Sequence, residues 1–78
     1  MADNIEQRIK ELMADILHLD PAKIDESTSV DNTPKWDSAN HISLVLAIEE
    51  EFSIAFDVDE IEQMLSFFDI TQSVAAKL

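Results

Sequence analysis

The 78-residue sequence contains neither cysteine nor glycine. Without cysteine there is no disulfide framework, no thiolate zinc site and no thiol nucleophile, so the core of so small a chain must rest on helix packing. Without glycine there is no glycine-rich phosphate loop, and a left-handed helix cap, for instance at Ser53, would carry a strain of roughly 1 kcal/mol. Any sulfur chemistry would therefore require a group added from outside.

Basic residues are scarce as well, with five Lys and Arg against 17 Asp and Glu and a net charge of -12. This charge repels phosphate backbones and anionic membrane surfaces, so we do not expect nucleic acid as a partner. The imbalance is greatest over residues 36–76, which hold nine acids and no Lys or Arg. Such a segment is either a solubilising surface or an electronegative docking face for basic partners.

Long apolar runs are absent too, since none approaches the roughly 18 residues typical of a membrane span. The first six residues, Met1 to Glu6, are acidic where a signal peptide would be basic. We therefore expect a cytoplasmic protein that does not insert into a membrane.

The apolar fraction of 46% suffices for one small core but not for a core plus a deep enzyme cleft. The two histidines, His18 and His41, have no cysteine or phosphate loop beside them that would complete a catalytic constellation. The composition therefore predicts a carrier or binding protein without catalytic activity of its own, and without a metal site.

Helical spacing is clear at the start of the chain. The apolar residues between Asp3 and Leu17 follow the spacing of one helical face and predict a first helix that stops near His18 to Asp20. Asp3 can cap this helix, with Glu6 three residues further on. The apolar residues that share this face are Ile5, Ile9, Leu12, Met13, Ile16 and Leu17.

Residues 18–37 contain many turn-forming residues and are predicted to be an ordered loop with Ile24 and Val30 as apolar anchors. Twenty residues of loop are unusual in so small a domain, which indicates a functional loop or a short helical turn around Ala22 to Asp25.

A second helix is predicted to begin at Asp37 or Ser38 and to run to Phe52. It carries two apolar stripes, so it is either buried on both sides or keeps one stripe for a ligand or partner. The first stripe comprises Leu44, Val45, Ile48 and Phe52, and the second comprises Ala39, Ile42 and Leu46.

Two shorter helices are predicted to close the chain. Asp57 with Glu60 opens a third helix that carries Ile61, Met64 and Leu65, and the pair Asp69 and Gln72 opens a fourth. No repeat or linker interrupts the chain, so we expect a single all-α domain over residues 1–78.

The second helix opens with Trp36-Asp37-Ser38-Ala39-Asn40-His41-Ile42 and continues with Leu44-Val45-Leu46-Ala47-Ile48-Glu49-Glu50-Glu51-Phe52. This run resembles the attachment-site helix of acyl carrier proteins, and the remaining elements follow in family order. It implies an acyl-carrier-protein-like four-helix bundle with three longer helices, one short helix and a long ordered loop between the first two. It also implies a stand-alone carrier that holds acyl groups as thioesters on a 4'-phosphopantetheine arm, derived from coenzyme A and attached to Ser38.

The same resemblance implies further roles and partners. Asp37 would cap the helix and face the phosphopantetheinyl transferase (holo carrier protein synthase) that installs the arm. The residues expected to contact partners or the acyl group are Ala39, Ile42, Leu46, Glu49 and Glu50. The expected partners are acyl-transferring, acyl-activating or condensing enzymes of fatty acid, lipid or polyketide biosynthesis that have basic docking patches, and the carrier itself is expected to be a monomer.

Several simpler interpretations stay open from the residues alone. Ser38 could be a plain helix cap, and the chain could be an acidic adaptor of the same fold without an arm, or a carrier of aminoacyl or peptidyl groups. Trp36 is expected to anchor the loop, and His41 is expected to be a hydrated surface residue. A calcium site is disfavoured because the acidic segments lack the loop glycine and the alternating oxygen ligands.

Overall fold

A computed structural model describes residues 2–78 of the chain, with side chains from residue 4 onward. Within this part, four α-helices and one 3-10 turn account for the regular structure, together with a single isolated β-bridge. The helices are α1 (Ala2–Leu17), α2 (Ser38–Phe52), α3 (Val58–Gln63) and α4 (Phe67–Lys77), and the 3-10 turn is Pro21–Lys23. The predicted all-α architecture is confirmed.

Helix α1 buries the predicted apolar face against α2 and α4. It ends at Leu17, as predicted, and His18 follows in the left-handed region with φ 56°. The amide of Leu19 then donates to the carbonyl of Ala14 at 3.0 Å, which closes the helix end. Helix α1 already includes Ala2, so Asp3 lies inside its first turn. The Asp3 side chain, which was predicted to cap the helix, lies outside the described part of the structure.

Helix α2 also has the predicted bounds. Leu44, Val45 and Ile48 of its first stripe are buried. After Phe52, Ser53 adopts left-handed angles of φ 55° and ψ 47°, and the amide of Ile54 donates to the carbonyl of Glu49 at 3.1 Å. The chain therefore uses a left-handed cap without glycine and accepts the associated strain.

The closing helices differ from the sequence prediction in two places. Helix α3 begins after Asp57, whose amide donates to the Glu60 carboxylate at 2.9 Å as predicted, but it ends at Gln63, so Met64 and Leu65 lie beyond it. Helix α4 is capped by Ser66, whose hydroxyl accepts from the amide of Asp69 at 3.0 Å. The predicted start at Asp69 is wrong because Asp69 lies in the first turn of a helix that begins two residues earlier.

The core is formed by side chains from α1, α2 and α4 and from the segments between the helices, and Ile61 of α3 packs against it partly buried. Its members are Ile9, Met13, Leu17, Ile24, Trp36, Leu44, Val45, Ile48, Phe56, Met64, Phe67, Ile70 and Val74. Ion pairs join helices at the surface, with Arg8 of α1 to Glu51 of α2 at 2.8 Å and Lys77 of α4 to Glu60 of α3 at 3.1 Å. Since these pairs are solvent-exposed, packing rather than charge holds the bundle together.

The long loop between α1 and α2 is ordered by specific contacts. The predicted helical turn is present, although it covers Pro21–Lys23 rather than Ala22 to Asp25. Ile24 is 2% exposed and anchors the loop as predicted. Further along, the amide of Val30 donates to the carbonyl of Leu65, and the amide of Phe67 donates to the carbonyl of Thr28, both at 2.9 Å. These bonds join the loop to the junction between α3 and α4.

Candidate functional site

Ser38 is the first residue of α2, and its side chain is exposed. The cap of this helix is the preceding residue: the Asp37 carboxylate accepts from the amide of Asn40 at 2.9 Å. The predicted capping role of Asp37 is therefore confirmed, and the helix does not need the Ser38 hydroxyl as its cap. The amides of Ser38 and Ala39 lie in the first turn, where backbone N–H groups have no intrahelical acceptor.

A surface groove of about 370 Å³ lies beside Ser38. Its lining residues come from the long loop, the start of α2 and the segment after α3; they are Val30, Trp36, Asp37, Ser38, His41 and Leu65. Trp36 is only 4% exposed and serves both as a core residue and as a wall of the groove. The loop anchor predicted at Trp36 is thus confirmed, and the groove is an additional feature.

Two hydrogen bonds fix the position of Trp36 and His41. The indole N–H of Trp36 donates to Nδ1 of His41 at 2.9 Å, and Nε2 of His41 lies 2.8 Å from the carbonyl oxygen of Ile61 in α3. Because an indole nitrogen can only donate, Nδ1 must accept, and the imidazole carries its proton on Nε2. The prediction that His41 is a hydrated surface residue is wrong, because both ring nitrogens have protein partners and the ring bridges α2 to α3.

The remaining wall of the groove depends on the isolated β-bridge between Ser29 and Ser66. The bond from the Val30 amide to the Leu65 carbonyl holds these two residues beside each other. Val30 is half-buried, whereas Leu65 is 48% exposed and forms an accessible lip. The groove therefore has mainly apolar walls held by backbone and side-chain hydrogen bonds.

The second stripe of α2 points away from the core, as its exposure shows. Ile42 is 50% exposed and Leu46 is 59% exposed, and Ala39 is exposed as well. None of the three lines the groove beside Ser38. The stripe is thus available for contact with another protein, whereas the predicted role of these residues at the entrance for the cargo stays a prediction.

The acidic residues at the end of α2 have different surroundings. The Glu49 carboxylate accepts from the amide of Phe56 at 2.8 Å and so holds the turn after the helix. The hydrogen bond from Arg8 holds the pKa of Glu51 below its usual value. Glu49 and Glu50 are the two glutamates expected to contact partners. Glu50 is exposed, and its side chain makes no hydrogen bond or ion pair with the described residues. Glu49 therefore has a structural role that the sequence did not reveal.

The described part of the chain offers neither a metal site nor a membrane-spanning helix. Among the side chains of residues 4–78, no three His, Asp or Glu converge in a way that could hold a metal ion. Nor does any helix in this range combine the length and the apolar character that crossing a membrane demands.

The fold and the site together define a small helical bundle that presents an accessible hydroxyl at the start of a helix, next to an apolar groove. Residues 7–70 match the family described as a phosphopantetheine attachment site. The match covers most of the chain, and the chain belongs to this family. It is a carrier rather than an enzyme, and the family attaches 4'-phosphopantetheine covalently, which implies a phosphopantetheinyl transferase as a partner.

The residues around Ser38 fit such a group. The exposed hydroxyl can accept a phosphodiester, and the helix N-terminus favours its negative charge. When bound, the arm supplies the thiol that this cysteine-free chain lacks and on which an acyl group is carried.

Sequence reasoning missed His41, Val30 and Leu65 as residues of the site. One signal was present for His41, because a buried indole N–H usually finds an acceptor and His41 lies five residues after Trp36.

Proposed function

We propose that Ser38 is the attachment residue and that the protein carries acyl intermediates as thioesters for enzymes of fatty acid, lipid or polyketide biosynthesis. The observation that carries this proposal is the exposed Ser38 hydroxyl at the start of α2, where Asp37 already provides the cap. A serine that is neither buried nor needed as a cap is free for modification. We further propose that the protein acts in the cytoplasm as a monomer.

The attachment requires a simple displacement. The Ser38 hydroxyl oxygen forms a bond to the pantetheine-side phosphorus of coenzyme A, and the bond between that phosphorus and the bridging oxygen breaks. Adenosine 3',5'-bisphosphate leaves, and the hydroxyl proton passes to a base of the transferase. Asp37 lies beside the hydroxyl in sequence and on the same groove, which supports the proposal that the transferase contacts its carboxylate.

The outward side of α2 is proposed as the surface that partner enzymes contact. It combines the exposed apolar side chains of Ile42 and Leu46 with the exposed carboxylate of Glu50. Exposed acids on α3, among them Asp59 and Glu62, extend the negative charge. Basic docking patches on acyl-transferring, acyl-activating or condensing enzymes would complement this surface.

The test is the intact mass of the protein after incubation with coenzyme A and a phosphopantetheinyl transferase. We expect the mass to increase by one phosphopantetheine group, and we expect Ser38→Ala to abolish the increase. Ser43→Ala is the matched control, because Ser43 is an exposed serine on the same helix and should not affect modification. No gain in mass, or a gain that survives Ser38→Ala, would overturn the proposal and leave an adaptor without an arm. The mass of the native thioester then distinguishes an acyl cargo from an aminoacyl or peptidyl one.

A further inference from the structure

Four of the six residues that line the groove beside Ser38 offer no free hydrogen-bonding side chain, and the other two, Asp37 and Ser38, lie at the start of α2. The indole N–H of Trp36 is used by His41, and both ring nitrogens of His41 are used by Trp36 and Ile61. Val30 and Leu65 contribute aliphatic side chains. Since a polar occupant would have to give up its water without gaining hydrogen bonds from these four side chains, the groove favours an apolar occupant.

The position of the groove narrows the choice of occupant. Ser38 itself lines the groove, so any group attached to its hydroxyl begins at the edge of the groove. The phosphate of a 4'-phosphopantetheine arm is charged and stays near the helix start, where first-turn amides are available. The first apolar part beyond the phosphate is the pantoyl carbon that bears two methyl groups. Further out come two amides, which need water or hydrogen-bonding partners.

We propose that the two pantoyl methyl groups dock in this groove between Trp36 and Leu65, so that the base of the arm is positioned on the protein while its amides and thiol extend outward. This inference rests on the proposed attachment to Ser38. The hydrogen bonds from Trp36 through His41 to Ile61 hold one wall in place, and the bond between Val30 and Leu65 holds the other. Trp36 and Leu65 are thus positioning residues for the arm.

Nuclear magnetic resonance of the modified protein tests this directly. Trp36 is the sole tryptophan of the chain, so its indole signals need no further assignment. With 13C-labelled pantoyl methyl groups, we expect cross-peaks from these methyls to the indole ring of Trp36 and to the methyl groups of Leu65. We also expect the indole N–H resonance to shift when the unmodified protein gains the arm.

A pair of leucine variants provides the control. Leu65→Ala removes a 48% exposed side chain from the groove, and Leu78→Ala removes a 63% exposed side chain outside it. Both variants should fold and gain the arm, because neither leucine belongs to the core. We expect the cross-peaks to Trp36 to be lost or strongly weakened in Leu65→Ala and unchanged in Leu78→Ala.

The two proposals fail in different ways. If the mass does not increase, attachment and docking are both overturned. If the mass increases but no cross-peaks reach Trp36, the arm is attached and does not dock, which overturns only the present inference. Undiminished cross-peaks to Trp36 in Leu65→Ala, or an equal loss in Leu78→Ala, would overturn the assignment of the groove.

Discussion

Replacing Ser38 or Asp37, one at a time, in the unmodified protein distinguishes the proposed modification site from the helix cap. The Asp37 carboxylate accepts one hydrogen bond, from the amide of Asn40 at 2.9 Å. Loss of such a cap typically costs about 1 kcal/mol of the free energy of unfolding. Ser38 is exposed and is not the cap, so Ser38→Ala should change that free energy by less than about 0.5 kcal/mol.

Urea denaturation and thermal denaturation, both followed by circular dichroism, measure both effects. For a domain of this size, 1 kcal/mol corresponds to a decrease of about 4–8 °C in the melting temperature. Asp37→Ala should show that decrease, whereas Asp37→Asn should be nearly as stable as the original protein, because asparagine caps about as well as aspartate. If the transferase contacts the charge of Asp37, Asp37→Asn should still be modified more slowly. A destabilisation by Ser38→Ala equal to that of Asp37→Ala would refute the reasoning, since Ser38 would then be a structural cap.

Three other predictions concern the scaffold of the site. Ser53→Gly should raise the free energy of unfolding by about 1 kcal/mol in urea denaturation, because Ser53 has φ 55° and glycine adopts this conformation without strain. His41→Ala should lower it by about 1–3 kcal/mol and alter the fluorescence of Trp36, because the buried indole N–H loses its acceptor. Glu51→Gln should destabilise the protein at neutral pH and not in strong acid, because the hydrogen bond from Arg8 lowers the pKa of Glu51. The stabilisation by the ionised Glu51 carboxylate is complete above the ordinary pKa of 4.5 and is lost as the pH falls through the lowered pKa.

Each of these predictions has a result that would contradict it. A destabilised Ser53→Gly would mean that the left-handed conformation of Ser53 carries no strain. Unchanged stability and fluorescence in His41→Ala would mean that the bridge from Trp36 to Ile61 does not form in solution. For Glu51→Gln, a stability difference from the original protein that is the same at neutral and strongly acidic pH would show that the pair with Arg8 contributes nothing.

The helices were predictable where the signals are local. Helix α2 has its cap at Asp37 and an uninterrupted apolar pattern up to Phe52, so both of its ends follow from neighbouring residues. The start of α4 was not predictable in this way, because Ser66 and Asp69 both satisfy the capping pattern. The choice depends on Phe67, which is buried and whose amide bonds to Thr28 in the distant loop.

The proposed attachment residue, Ser38, could be inferred from the run of residues around it, but the groove beside it could not. His41 reaches a carbonyl oxygen twenty residues away, and Leu65 faces Val30 only because the loop pairs with the segment after α3. Such contacts join residues that are far apart in sequence, and the period of a single helix carries no information about them. The second stripe on α2 could be predicted in part. Its spacing follows from the sequence, but whether it is exposed or buried could be decided only from the fold.

The most direct test of the central claim is to locate the arm by fragmenting the modified protein in a mass spectrometer. The account predicts that the added phosphopantetheine lies on Ser38 and on no other serine of the chain. Finding it on a different residue, such as Ser29 or Ser43, would contradict the claim that the start of α2 is the attachment site.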